Sequence, residues 1–386
     1  MILNWYTSKR FAERGATALI IVVFSILLLM TISVSFMRLV VQDQQNTNDD
    51  ELSRGAYDSA LAGVEDGKRV LQACIGGTGV PATTACAAIA ANQCNTVHAA
   101  KILSAADSSV NTDEVMIQNS TGTTGGFDQA YSCVEIERNT PDYEGTISND
   151  SSTVIPLQTT SPFTQVTISW FKNPGPGTSY SLNTSPAPSL PTFAKWAPAN
   201  KVRPPLIRAQ LIQFKSSSFK VADFDQSADS GTLYFYPSSL GTVTASFASD
   251  VRQSKVNSLL IPVKCTPGIG VQYICKVTVD LPLPVGATAV SQRQAYLRLT
   301  SLYGDTDFTV SPVGTELQDV EPAIDSTGRA ADVYRRVRSR VQLQSPAETE
   351  LFPRATVDIT HDFCKDFGVT DTRFIASPSG CNFNKP

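Results

Sequence analysis

The sequence predicts an α+β protein in which one long N-terminal helix, first apolar and then amphipathic, packs on an antiparallel β-rich domain. Three observations predict it. A proline-free run of 22 uncharged, mostly apolar residues extends from Ala16 to Met37. Apolar residues then recur at helical spacing from Asp50 to Leu71. From about Tyr131 onward the period changes to two, in short runs divided by Gly, Pro, Asn and Ser clusters. A chain of 386 residues is long enough to bury a sizeable core in one large domain or two medium ones.

The first element is a membrane span. At 1.5 Å per residue its 22 residues reach roughly 33 Å, enough to cross the ~30 Å hydrocarbon core of a bilayer. Lys9, Arg10 and Arg14 precede it, opposed only by Glu13, whereas Arg38 is followed by Asp43, Asp49, Asp50 and Glu51. Basic flanks stay inside, so the N-terminus is cytoplasmic and everything after about Val41 is extracytoplasmic. The cysteines agree. There are eight, against two histidines, His98 and His361, and no pair has CxxC spacing. An even count without metal-ligand spacing predicts disulfides in an oxidising compartment. A cleaved secretory signal would have a shorter apolar core and a small-x-small site after it, which Ser35-Phe36-Met37-Arg38-Leu39 lacks.

The segment Arg14-Gly15-Ala16-Thr17-Ala18-Leu19-Ile20 resembles the prepilin peptidase site of type IV pilins and pseudopilins. The resemblance implies a leader Met1–Gly15 cut between Gly15 and Ala16, methylation of the new terminus, and an apolar helix that stays attached. Most pilins carry Glu at the fifth mature position; Ile20 stands there. PilX-type minor pilins and the tip pseudopilin K of type II secretion often lack that Glu, so the resemblance points to a minor, priming or tip subunit. It implies a pilin-like fold and, as partners, the cytoplasmic membrane, prepilin peptidase, other pilin subunits and the pilus assembly machinery.

In the amphipathic helix, Tyr57, Leu61, Val64 and Leu71 fall on one face, with Ala56, Ala60, Gly63 and Gly67 as a small-residue stripe beside it. This resembles the pilin pattern in which small residues let helices pack closely. Ala-rich 82–91 and 99–106 are read as short helices. Strands are predicted at Tyr131–Arg138, Thr164–Phe171, Leu206–Phe214, Thr232–Tyr236, Ser258–Lys264, Gln272–Asp280, Gln294–Leu302 and Asp332–Leu343. Eight prolines in 173–205 exclude helix and central strand. The predicted organisation is therefore a leader 1–15, a pilin helix 16–73, a Cys-containing α/β region 74–172, a Pro-rich linker 173–205 dividing two β-rich halves, and a β-rich domain 206–386.

Ser326-Thr327-Gly328 reads as turn chemistry. In the strand after it, Val333, Arg335, Val337, Ser339 and Val341 share one face and Arg336, Arg338 and Arg340 the other. Those three arginines are a candidate polyanion-binding stripe or a solvated face paired with acids. The stretch also resembles the last sheet strand of PilX-like minor pilins.

Cys265 and Cys275 flank a turn-like stretch and predict a hairpin disulfide. Cys364 and Cys381 lie where pilins often close a C-terminal loop. Cys74, Cys86, Cys94 and Cys133 admit three pairings, of which Cys86–Cys94 with Cys74–Cys133 contains the shortest single loop. No nucleophile, phosphate-loop or metallohydrolase motif stands in a credible context, so no cofactor and no enzymatic activity is expected. His361 beside Asp362 is read as structural. Asp305 and Asp307 fall short of a calcium ligand set. A net charge of −4 gives nucleic acid no electrostatic footing. Three functions compete: a minor or tip pilin that primes assembly or binds a surface ligand, a membrane-anchored surface binding protein that never polymerises, and an exported enzyme.

Overall fold

The computed structural model describes residues 9–94, 96–102, 114–118, 128–184, 190–197, 200–215, 230–247, 260–286 and 293–342, with side chains described from Ala18 onward. One helix, α1, runs from Lys9 to Gly76, about 100 Å at 1.5 Å per residue. Two short helices follow, α2 (Val80–Ala90) and α3 (Thr96–Ala99). The Ala-rich reading of 82–91 matches α2. Of the helix expected at 99–106, Ala99 ends α3 (Thr96–Ala99), 100–102 are not helical, and 103–106 fall outside the described residues.

Three sheets make up the rest. The first runs β1 (Val115–Gln118), β2 (Gln129–Thr140), β13 (Leu317–Ala330), β14 (Val333–Arg340), antiparallel throughout. The C-terminal half of α1 lies on it. The second is ordered β3 (Tyr143–Ile147), β12 (Thr306–Pro312), β5 (Phe163–Lys172), β10 (Tyr273–Val285), β8 (Thr244–Ser246). The third is ordered β4 (Ser152–Pro156), β11 (Arg293–Leu302), β6 (Leu206–Lys215), β7 (Ser230–Ser238), β9 (Ile261–Lys264). Only β8–β10 and β7–β9 pair in parallel among the described strands. The second and third sheets share one core, with Trp170 stacked on Phe235 across it and Ile168, Phe308, Leu233 and Leu297 buried around them. The fold is thus α+β, with mixed rather than purely antiparallel sheets.

All eight predicted strands overlap observed ones. The Pro-rich segment does not divide two halves, however. β5 before it pairs with β10 after it, and β4 before it with β11 after it. The segment joins β5 to β6 across the sandwich, and part of it packs down. Trp196 is buried between Tyr303, stacked at 4.2 Å, and the Arg203 guanidinium at 4.1 Å. The strand registers also fix polarity. Both links between the α1-bearing sheet and the sandwich, 141–142 and 313–316, sit at one end. The connections 148–151, 239–243, 265–272 and 303–305, with the described parts of 173–205, sit at the other.

Ser326-Thr327-Gly328 is not a turn. It lies within β13, the central strand under α1, and Gly328 is not at positive φ. Glycine stands there because the helix comes too close for anything else. A Cβ on Gly328 would lie 2.2 Å from the carbonyl oxygen of Ala56 and 2.2 Å from the amide nitrogen of Ala60.

Candidate functional site

α1 has two chemically distinct halves. From Leu19 to Val41 every large apolar side chain is exposed, and none is covered by the other described residues. This is a helix long and apolar enough to cross a membrane. Three of its hydroxyls are satisfied locally. The hydroxyls of Ser25, Thr31 and Ser35 donate to the carbonyls of Ile21, Leu28 and Thr31 at 2.9, 2.9 and 2.8 Å. A helix whose backbone and hydroxyls need no outside partner is stable in hydrocarbon. Gly15 and Ala16 fall inside α1, near its start. Ile20, half exposed, brings no carboxylate to this surface.

The second half is clamped to the sheet. Gly55, Ala56, Ser59, Ala60, Gly63, Val64, Gly67, Val70 and Leu71 form the buried face. A Cβ on Gly63 would meet Ser326 Oγ at 2.3 Å, and one on Gly67 would meet Ile324 Cγ2 at 2.8 Å. The small-residue stripe therefore seats the helix on its own sheet. It does not face a neighbouring helix, and the expected packing face is corrected accordingly. Tyr57 and Leu61 point outward, 49% and 37% exposed, while Val64 and Leu71 are buried. Buried Ser59 donates to the Gly55 carbonyl at 2.8 Å. Across the interface the Tyr131 hydroxyl donates to Asp66 at 2.6 Å. Burial first, then this bond, raises the Tyr131 phenol well above its ordinary range. At the edge, the Arg335 guanidinium donates twice to Ser53 Oγ.

The arginine stripe is paired rather than open. Arg336 holds Asp325 through two hydrogen bonds of 2.7 Å. Arg338 pairs with Glu137, and Arg340 with Asp142 at 2.8 Å and Glu321 at 3.2 Å. The alternation is as predicted: Val337 packs toward α1, and Arg336, Arg338 and Arg340 meet acids. Each of these three positive charges faces a carboxylate, the pairing expected of a solvated face. Glu321 is the most deeply buried of these acids. Burial raises its pKa, against the opposing pull of the Glu144 N–H and Arg340.

Among the described residues three disulfides form: Cys74–Cys86, Cys94–Cys133 and Cys265–Cys275. The first two resolve the pairings left open by the sequence, against the pairing with the shortest loop. Cys74 ends the buried face of α1, so the first bridge ties α2 back to it. The second ties the α2–α3 turn to β2. The third forms as expected, but it closes the turn between β9 and β10, which lie in different sheets and are joined here by one isolated bridge, Cys265–Cys275, rather than by a hairpin. Cys364, Cys381 and His361 lie outside the described residues.

Among the described residues, metal-ligand atoms converge in one place, at Cys94, Cys133 and Glu135. The two sulfurs are bonded to each other, which leaves one carboxylate and no thiolate. Asp305 and Asp307 accept hydrogen bonds from the Asn149 N–H and the Thr146 hydroxyl, at 2.7 and 2.6 Å. Comparison with protein-family models, with curated proteins and with solved structures finds no match for this chain.

Proposed function

We propose that this chain is a minor or tip subunit of a type IV pilus-like filament, acting in assembly priming or surface binding and carrying out no catalysis. One observation carries the reading. A single unbroken helix has an apolar half that no described residue covers and a second half locked to a sheet. Such a helix can be covered by lipid or by the apolar halves of neighbouring helices. Leaving the bilayer for a bundle trades one apolar surround for another, while the folded body travels with it.

Three further features support this reading. The leader Met1–Gly15 is short and basic next to Gly15. Ile20 replaces the Glu expected of bulk subunits. The disulfides suit a body held outside the cytoplasm with the N-terminus inside. The loops at the end of the sandwich farthest from the helix sheet are then the place for a surface ligand.

Mass spectrometry of the protein purified from its cells tests the reading. A mature chain beginning at Ala16 is expected. A chain beginning at Met1 would favour a membrane-anchored protein that does not polymerise. One beginning after residue 35 would mean ordinary secretion.

A further inference from the structure

The first sheet has an open edge. β1 pairs with β2 only from Gln129 to Tyr131. Beyond that, Val134 N–H donates to the Cys94 carbonyl at 2.9 Å. The strand period of two then turns the main-chain groups of Ile136 and Arg138 to the same side. Among the described residues nothing pairs with them there. This edge does not lie open to bulk solvent. It forms one wall of a groove whose other wall is the C-terminal end of α2, at Ile89 and Asn92. Both nearby disulfides brace that wall, Cys74–Cys86 by holding α2 and Cys94–Cys133 by holding the turn after it.

We propose that this groove is a strand-addition site that takes one extended segment of a partner polypeptide with alternating apolar and basic residues. Unpaired N–H and C=O groups at alternate residues are what an added strand satisfies. Side-chain preference follows from the two faces of β2. Ile136 faces the α1 side with Ile89, and both are buried in the same apolar cluster. Glu135 and Glu137 point to the opposite face, where Glu137 is half exposed although it pairs with Arg338. An added strand would therefore set apolar residues beside Ile136 and lysines or arginines beside the two carboxylates.

Hydrogen exchange of the full chain in detergent micelles tests this at residue resolution, with a decapeptide alternating Val and Lys as the probe. In the free chain the Ile136 and Arg138 amides should exchange at least 100-fold faster than Val134, whose amide is bonded. Millimolar probe should slow both at least tenfold. The fully N-methylated probe should not, and neither should a decapeptide alternating Val and Glu. The double variant E135K/E137K, which also breaks the Glu137–Arg338 pair, should reverse the preference to the Val/Glu peptide. The proposal is overturned if Ile136 and Arg138 are as protected as Val134 without probe. It is equally overturned if the N-methylated and unmodified probes act alike, or if charge reversal leaves the preference unchanged.

Discussion

β13 passes close under the backbone of α1, and Gly328→Ala perturbs that approach directly. The added Cβ would stand 2.2 Å from both Ala56 O and Ala60 N, and 2.8 Å from Ser59 C. Ordinary contact begins at 3.4 Å, so helix and sheet must part by 3.4 − 2.2 = 1.2 Å along that direction. All three opposing atoms are main chain, and no rotamer change relieves the clash. Overpacking costs about 1–3 kcal/mol when side chains can adjust, so the upper end, about 3 kcal/mol, applies here. Lifting the helix also opens a gap over Ala60, Gly63 and Val64, and a radial gap of only about 0.5–1 Å already forfeits a quarter to a half of each dispersion contact. At about 2–4 °C per kcal/mol, the midpoint of thermal unfolding followed by circular dichroism in micelles should fall by about 6–12 °C. Amide exchange should also quicken along 55–71. Gly63→Ala should cost less, because its nearest obstacle is the hydroxyl of Ser326, which can rotate. Gly304→Ala, with nothing within 4 Å, is the control. A Gly328→Ala midpoint within 1 °C of the parent would refute the view that this contact sets the helix position.

Removing the disulfides pairwise should rank by loop length. The separations are 10, 12 and 39 residues, so chain entropy gives about 3, 3 and 4 kcal/mol. Urea titration of the three Cys→Ser double variants should find the Cys94/Cys133 pair the most damaging, and any other order contradicts the entropic account. The double variant R336A/R338A should leave the unfolding midpoint close to that of the parent, since both side chains are largely exposed. Its retention on heparin–agarose should equal that of the parent, and a clear loss would favour the polyanion reading. Glu321 has a definite sign with pH. Burial raises its folded pKa above the unfolded value, so the native state holds this proton more tightly. Its contribution to stability therefore falls as pH climbs from the ordinary glutamate range through the raised value. Glu321→Gln should flatten that part of the plot of unfolding midpoint against pH, and an unaltered slope would assign the dependence to another group.

The elements visible in the sequence were those with strong local periodicity. The apolar run and the helical spacing after it report a helix because each residue's surroundings repeat every turn. The eight predicted strands alternate in the same local way. β13 does not, although it is the longest strand and central to its sheet. Asp319, Glu321, Pro322, Asp325 and Gly328 interrupt any apolar alternation. The partners that make them acceptable come from far along the chain: Arg138 for Asp319, Arg340 for Glu321, α1 itself for Gly328. The pairing of β5 with β10 across the prolines, and of Cys74 with Cys86, is likewise decided by tertiary neighbours that periodicity does not encode.

The helix face carries the most general lesson. Ranking by size of apolar side chain selects Tyr57 and Leu61 as buried, yet both lie outside. A helix laid this close to a sheet has no room for them at the contact, and its seam consists of residues with little or no side chain. At a close helix–sheet seam, Gly, Ala and Ser at i, i+4, i+7 mark the inner face. Larger apolar residues beside them are then left for solvent or for whatever the helix meets next.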